Sequence, residues 1–158
     1  MKYFQGRLIE KAHKLRFPKA YVDDINRLVL QGQSTTDPEQ APFRLQLNFW
    51  VLSIAVASAK RLSPIEKMPG NSPHFVDTRG VNMPAELCEL LSVISLNYID
   101  ADLDKLEHGE PAQIIDLANR LAFVGVPEVL KAVQDGTMQK TKLRKALDFA
   151  GETASQVG

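Results

Sequence analysis

Cysteine, histidine and strand-like alternation are all scarce in this chain, and each scarcity removes a class of function. The single cysteine, Cys88, has no partner for an internal disulfide. It lies within the apolar stretch LCELLSVISL, where an inert buried thiol is expected. A chain without disulfides fits a reducing, cytosolic compartment. His13, His74 and His108 fall in three separate regions, none with a second ligand at the spacing a zinc site needs. There is no P-loop, no dinucleotide-binding glycine pattern and no nucleophile elbow. The opening residues MKYFQGRLIEKAHK lack the apolar core of a secretory signal.

Long uncharged runs are also few, and the longest decides a membrane question. LQLNFWVLSIAVASA, Leu45 to Ala59, carries no charge but is interrupted by Gln46, Asn48, Ser53 and Ser58. A spanning helix needs about 20 predominantly apolar residues. A surface-lying helix needs a charged face, and this segment has none. A helix apolar on all sides is therefore expected in the core of the fold, with no membrane contact.

What the chain does contain is an average globular composition over 158 residues, 44% hydrophobic and 24% charged. That suits a single domain spanning 1–158, large enough to bury a core. The spacing of Phe4, Leu8, Ala12 and Leu15 predicts a first helix or basic arm over 1–18, ended by Phe17-Pro18. KAYVDDINRLVLQG reads as a short helix stopped at Gly32, and 33–42 as a polar loop. The central helix is expected from about Phe43 to Lys60. Small residues Ala55, Ala57, Ser58 and Ala59 would let a neighbour approach closely at its far end.

LSPIEKMPGNSP excludes regular structure, and HFVDTRGVNMP reads as a short β-hairpin near residues 75–82. The turn Asp77 to Gly80 is the natural reading of its middle. PAELCELLSVISLNYI predicts a second apolar helix, the expected partner of the first. An acidic connector follows. A helix from Pro111 then closes at Gly125, a short one runs from Pro127 to Gln134, and Thr137 caps a last one. Residues 151–158 form an expected frayed tail. The predicted fold is all-α, a compact bundle of six or seven helices around two buried apolar ones.

Net charge is zero, but the signs are segregated. Lys2, Arg7, Lys11, Lys14, Arg16 and Lys19 precede residue 20 against Glu10 alone. Residues 80–135 are acidic, and Lys140, Lys142, Arg144 and Lys145 make the end basic again. Such segregation bears on partners and leaves self-association open. The acidic set Asp100, Asp102, Asp104 and Glu107 fails as a calcium loop, since the sixth and twelfth positions hold Lys105 and Pro111 rather than glycine and glutamate. It reads as a solvated face. No catalytic residue and no cofactor is nominated, and the chain is read as a non-enzyme; a small hydrolase or nuclease with dispersed residues is the remote alternative.

PEVLKAVQDGTMQKTKLRKALDFA, 127–150, has the outline of a helix-turn-helix. Leu143, Ala146, Leu147 and Ala150 would face inward, with Lys140, Lys142, Arg144 and Lys145 opposite. With Lys11, Lys14 and Arg16 these cations are the candidate residues for a partner or for nucleic acid. Phosphate contact is the alternative reading, and a solvated or protein-facing surface the main one, because no aromatic or amide side chains accompany them to read bases.

Order along the chain carries a further expectation. Arg16-Phe17-Pro18 precedes a short helix. A polar loop, Pro42-Phe43-Arg44, an alanine-rich apolar helix ending at Lys60-Arg61 and a Pro64-Ile65 step follow. Phe75, the helix Leu87–Leu96, an acidic linker and ANRLAFVGVPEVL complete the pattern. Over residues 15–135 this order resembles the small DNA-phosphorothioation-associated (dnd-associated) accessory proteins of bacterial anti-phage defence clusters. The resemblance implies a cytoplasmic accessory subunit working with larger proteins of a defence or DNA-modification complex. That family offers no established catalytic residues, so none are carried over.

Overall fold

A computed structural model describes residues 2–30, 43–81, 83–98 and 111–134. In chain order these form helix α1 (Lys2–Glu10), strand β1 (Lys14–Arg16), a 3-10 turn (Lys19–Tyr21), helix α2 (Val22–Arg27), helix α3 (Gln46–Ala59), strand β2 (His74–Asp77), helix α4 (Ala85–Tyr98) and helix α5 (Pro111–Gln134). The fold is mainly helical, as expected. Among the described residues there are five α-helices rather than six or seven.

The core is organised around α3 and α5, which make the most extensive contact between any two elements. The buried side of α3 is Phe49, Trp50, Ser53, Ile54 and Ala57. That is the i, i+1, i+4, i+5, i+8 pattern of one helix face. On α5 the buried set runs without a break from Pro111 to Val133. The helix expected to stop at Gly125 and the one expected to start at Pro127 are therefore a single element. Gly125 is a close-approach position: a Cβ there would lie 1.9 Å from the Ser53 carbonyl oxygen. Pro127 removes one helical hydrogen bond, yet Val126, Val129, Leu130 and Val133 are buried around it. Their burial offsets that loss, at about 1.5–3 kcal/mol for each large side chain.

This corrects the expected pairing of the two most apolar helices. The chief neighbour of α3 is α5, and α4 meets α5 over a smaller area. The close approach to α3 is at the Ser53 backbone in the middle of the helix, where Gly125 packs against it.

The expected hairpin near residues 75–82 is also replaced. β2 pairs antiparallel with β1, with Lys14 opposite Asp77 and Leu15 opposite Val76, and a bulge follows between Leu15 and Arg16. The residues after β2 turn back instead of extending, and the Gly80 amide donates to Asp77 Oδ1 at 2.7 Å. The first helix likewise stops at Glu10. Leu8 is buried on it, Ala12 is exposed beyond it, and Leu15 is buried in β1; the Phe4 side chain lies outside the described residues.

Thr78 joins these pieces. Its hydroxyl donates to Leu8 O at 2.7 Å and accepts from the His13 amide at 3.0 Å, while its own amide donates to His13 O at 2.9 Å. Asn119 on α5 serves the free side of β1: Oδ1 accepts from the Arg16 amide at 2.8 Å and Nδ2 donates to Lys14 O at 3.0 Å. The side chain completes hydrogen bonds that a third strand would otherwise make.

Aromatic rings lock the sheet onto the helices. Phe17 stacks on Phe75 with centroids 4.3 Å apart and meets Phe49 edge-on at 6.1 Å, and Phe49 meets Phe43 edge-on at 5.0 Å. Phe43 does not begin α3 as expected. It bridges to Val29 ahead of the helix, with Leu30 N donating to Phe43 O at 2.7 Å and Phe43 N to Leu28 O at 3.0 Å.

Candidate functional site

The predicted cations divide into three groups. Lys11 follows α1 and Lys14 lies on β1, both exposed. Arg16 is half-buried, and its guanidinium donates to Ser72 O across the sheet, so it braces the fold. Lys140, Lys142, Arg144 and Lys145, with the rest of the expected last helix, lie outside the described residues. The first half of the helix-turn-helix outline, 127–134, is the end of the long helix α5 rather than a separate short helix. The acidic set Asp100 to Glu107 and His108 also lie outside the described residues.

Among the described residues, no three His, Cys, Asp or Glu side chains gather where they could hold a metal ion. No described helix is long and apolar enough to cross a membrane. Cys88 is fully buried, and burial pushes its thiol up to about 11, with Glu86 and Glu89 adding to the effect. The His13 imidazole is shifted below its ordinary value, first by burial and then by the Lys11 and Arg7 charges.

The surface feature that sequence reasoning missed is the outer side of α4. Leu87, Cys88, Leu91, Ser92, Ile94 and Ser95 face the core. Two buried hydroxyls there are satisfied within the helix, Ser92 donating to Cys88 O at 2.8 Å and Ser95 to Leu91 O at 2.7 Å. The opposite side carries Leu90, Val93 and Leu96, exposed at 36%, 58% and 37%. Glu86 and Glu89 extend the same strip toward the start of the helix. Single exposed apolar residues are ordinary, but three in one helical strip beside two carboxylates make a patch. The signal was present in the sequence: α4 has more large apolar residues than one buried face can take.

A second feature lies where α3 and α4 end. Arg61 N donates to Ser58 O at 3.0 Å and Leu62 N to Ala57 O at 2.9 Å. This pair of bonds is a Schellman closure, with Arg61 at the left-handed position normally given to glycine. Its φ is 52°, the sole positive φ among described non-glycine residues. A side chain there costs about 1 kcal/mol relative to glycine. Tyr98 Oη donates to Leu62 O at 3.2 Å and ties the end of α4 to this turn. Between them lies a cavity of about 350 Å³ that, among the described residues, is lined by Ser58, Arg61, Asn97 and Tyr98.

Nearby, Lys60 Nζ meets Glu128 Oε2 at 2.7 Å, joining the end of α3 to α5. The Lys60 hydrogen bond and charge hold the Glu128 carboxyl below the ordinary range. Both groups are solvent-accessible, so the pair adds little to stability.

No protein-family model, characterised protein or solved structure matches this chain.

Proposed function

We propose that the protein is a non-catalytic, cytoplasmic accessory subunit that works through protein–protein contacts, in the prokaryotic DNA-modification or anti-phage setting that its sequence order resembles. The observation that supports this reading is the exposed Leu90–Val93–Leu96 strip of α4, with Glu86 and Glu89 at its edge. An apolar strip rimmed by carboxylates suits a segment of a larger partner that presents apolar residues flanked by lysine or arginine. Apolar burial would supply the affinity, and the carboxylates the orientation.

The test is co-purification of the tagged full-length chain from its native host, with partners identified by mass spectrometry. The expected partner is a larger subunit encoded beside this gene. Val93→Asp should abolish its recovery and leave the circular-dichroism melt unchanged, since Val93 is exposed. Equal recovery with Val93→Asp would remove α4 as the docking face. Recovery of no neighbouring gene product would remove the accessory role. Concentration-dependent dimerisation abolished by the same substitution would assign the strip to a second copy instead.

A further inference from the structure

The exposed side of α4 carries charge of one sign only. Glu86 and Glu89 lie beside Leu90, Val93 and Leu96, and the helix contains no lysine or arginine. The chain after Tyr98 is acidic as well, with Asp100, Asp102 and Asp104. Whatever covers the strip must therefore bring apolar side chains flanked by cations. A second copy of α4 fails that requirement. Laid on the first in either direction, it sets carboxylates against carboxylates or against the acidic stretch after Tyr98, with no cation to answer them.

One segment of this chain meets it. The described residues end at Gln134 on α5, and 135–158 follow. Within them Leu143, Ala146, Leu147 and Ala150 recur at i, i+3, i+4 and i+7, the spacing of one helical face. Lys140, Lys142, Arg144 and Lys145 accompany them, and Asp148 is the one acid between 137 and 150. The lengths agree, since Leu90 to Leu96 and Leu143 to Ala150 each cover about 10 Å at helical rise. Reach is sufficient too. α4 packs against α5, and residues 135–139 can span up to about 17 Å, more than the width of a helix at about 10–12 Å.

We infer that residues 137–150 dock on the Leu90–Val93–Leu96 strip of the same molecule and hold it closed until a partner displaces them. This rests on the reading of α4 as the partner's docking face and gives that face a regulator. The apolar stripe of the segment covers the strip, and its cations answer the carboxylates at the ends of α4. A partner that presents a similar segment competes for the strip, so its apparent affinity for the full chain falls with the fraction of molecules that are open.

The test is hydrogen exchange of the full chain, read by mass spectrometry on peptides covering 143–150. These amides should exchange about tenfold more slowly in the wild type than in Val93→Asp or Leu147→Asp. The double variant should exchange no faster than either single one, because each already removes the same contact. Potassium chloride at about 0.5 M should speed exchange in the wild type and leave Val93→Asp unchanged. Equal rates in the wild type and Val93→Asp would overturn the inference, and so would full additivity in the double variant. Protection that grows with protein concentration, with a dimer in sedimentation, would overturn docking within one molecule and assign the segment to a second copy. Co-purification separates this inference from the docking role itself: Leu147→Asp should raise recovery of the partner severalfold, where Val93→Asp abolishes it. Unchanged recovery with Leu147→Asp, beside loss with Val93→Asp, would sink the regulator and keep the docking face. Protection that depends on Val93 with no partner recovered would do the reverse.

Discussion

Ser53 and Gly125 meet backbone to backbone, with the Ser53 carbonyl where a side chain on Gly125 would begin. A Cβ there would lie 1.9 Å from Ser53 O and 2.6 Å from its carbonyl carbon. Neither atom can yield without moving α3 away from α5. Gly125→Ala should therefore destabilise the fold by about 3 kcal/mol or more, despite alanine's better helix propensity. That corresponds to a melting temperature about 6–12 °C lower. Gly6 is the control: it sits in α1 with open space around its Cβ position. Gly6→Ala should be neutral or stabilising by up to about 1 kcal/mol. Equal effects at the two glycines would refute the close-approach account.

Asn119 gives a second prediction. Its amide serves the Arg16 N–H and the Lys14 carbonyl together, and the side chain is only 5% exposed. Asn119→Ala leaves both backbone groups without that partner and should cost about 2–3 kcal/mol in urea denaturation. Asn119→Asp keeps the acceptor for Arg16 N–H but sets a carboxylate oxygen against Lys14 O in a nearly buried site, so at neutral pH it should cost at least as much as the alanine change. Amide exchange at Arg16 should quicken in the alanine variant while exchange in the middle of α3 changes only with global stability.

Cys88 supplies the pH prediction. Its folded value of about 11 lies above the ordinary 9.0. Below 9.0 the thiol is protonated in both states, and the contribution to stability is fully present. As the pH rises from 9.0 toward 11 the unfolded chain ionises first, and stability is lost by up to about 2 kcal/mol. Cys88→Ala should be less sensitive over that window, measured as the difference in urea midpoints. At neutral pH, iodoacetamide should label the folded thiol at least about 100-fold more slowly than the denatured one. Rapid labelling of the native chain would contradict the burial.

Much of the helical framework could be read from residue spacing, because α3 and α4 are apolar enough to be recognised without tertiary information. Their partners could not. A helix apolar on nearly every side, such as Leu45 to Ala59, does not declare which face is most deeply buried or which neighbour covers it. Gly125 and Pro127 were misleading for a related reason. Both are breakers by local propensity, and the packing of Ser53 against one and of Val126, Val129 and Leu130 around the other overrides that propensity. β1 is three residues long, too short for alternation to register, so β2 was assigned the nearest partner in sequence instead of the correct one. The candidate site was legible in part. The acidic charge of residues 80–135 was expected to bear on partners, but PAELCELLSVISLNYI was read as an apolar helix packed on the first, and its exposed Leu90–Val93–Leu96 strip went unrecognised. The Arg61 cavity depends on one backbone angle and on the meeting of two helix ends, neither of which leaves a trace in composition or spacing.

The short β1–β2 ribbon also constrains how the protein can be made. His13 bonds to Thr78 across 65 residues, and Lys14 bonds to Asn119 across 105. During synthesis the first strand emerges from the ribosome long before either counterpart exists, so the amino-terminal portion must wait unpaired while the helices behind it are translated. The opening segment is thus among the last parts to settle, and a chain halted before residue 119 would hold its first strand without its final clasp.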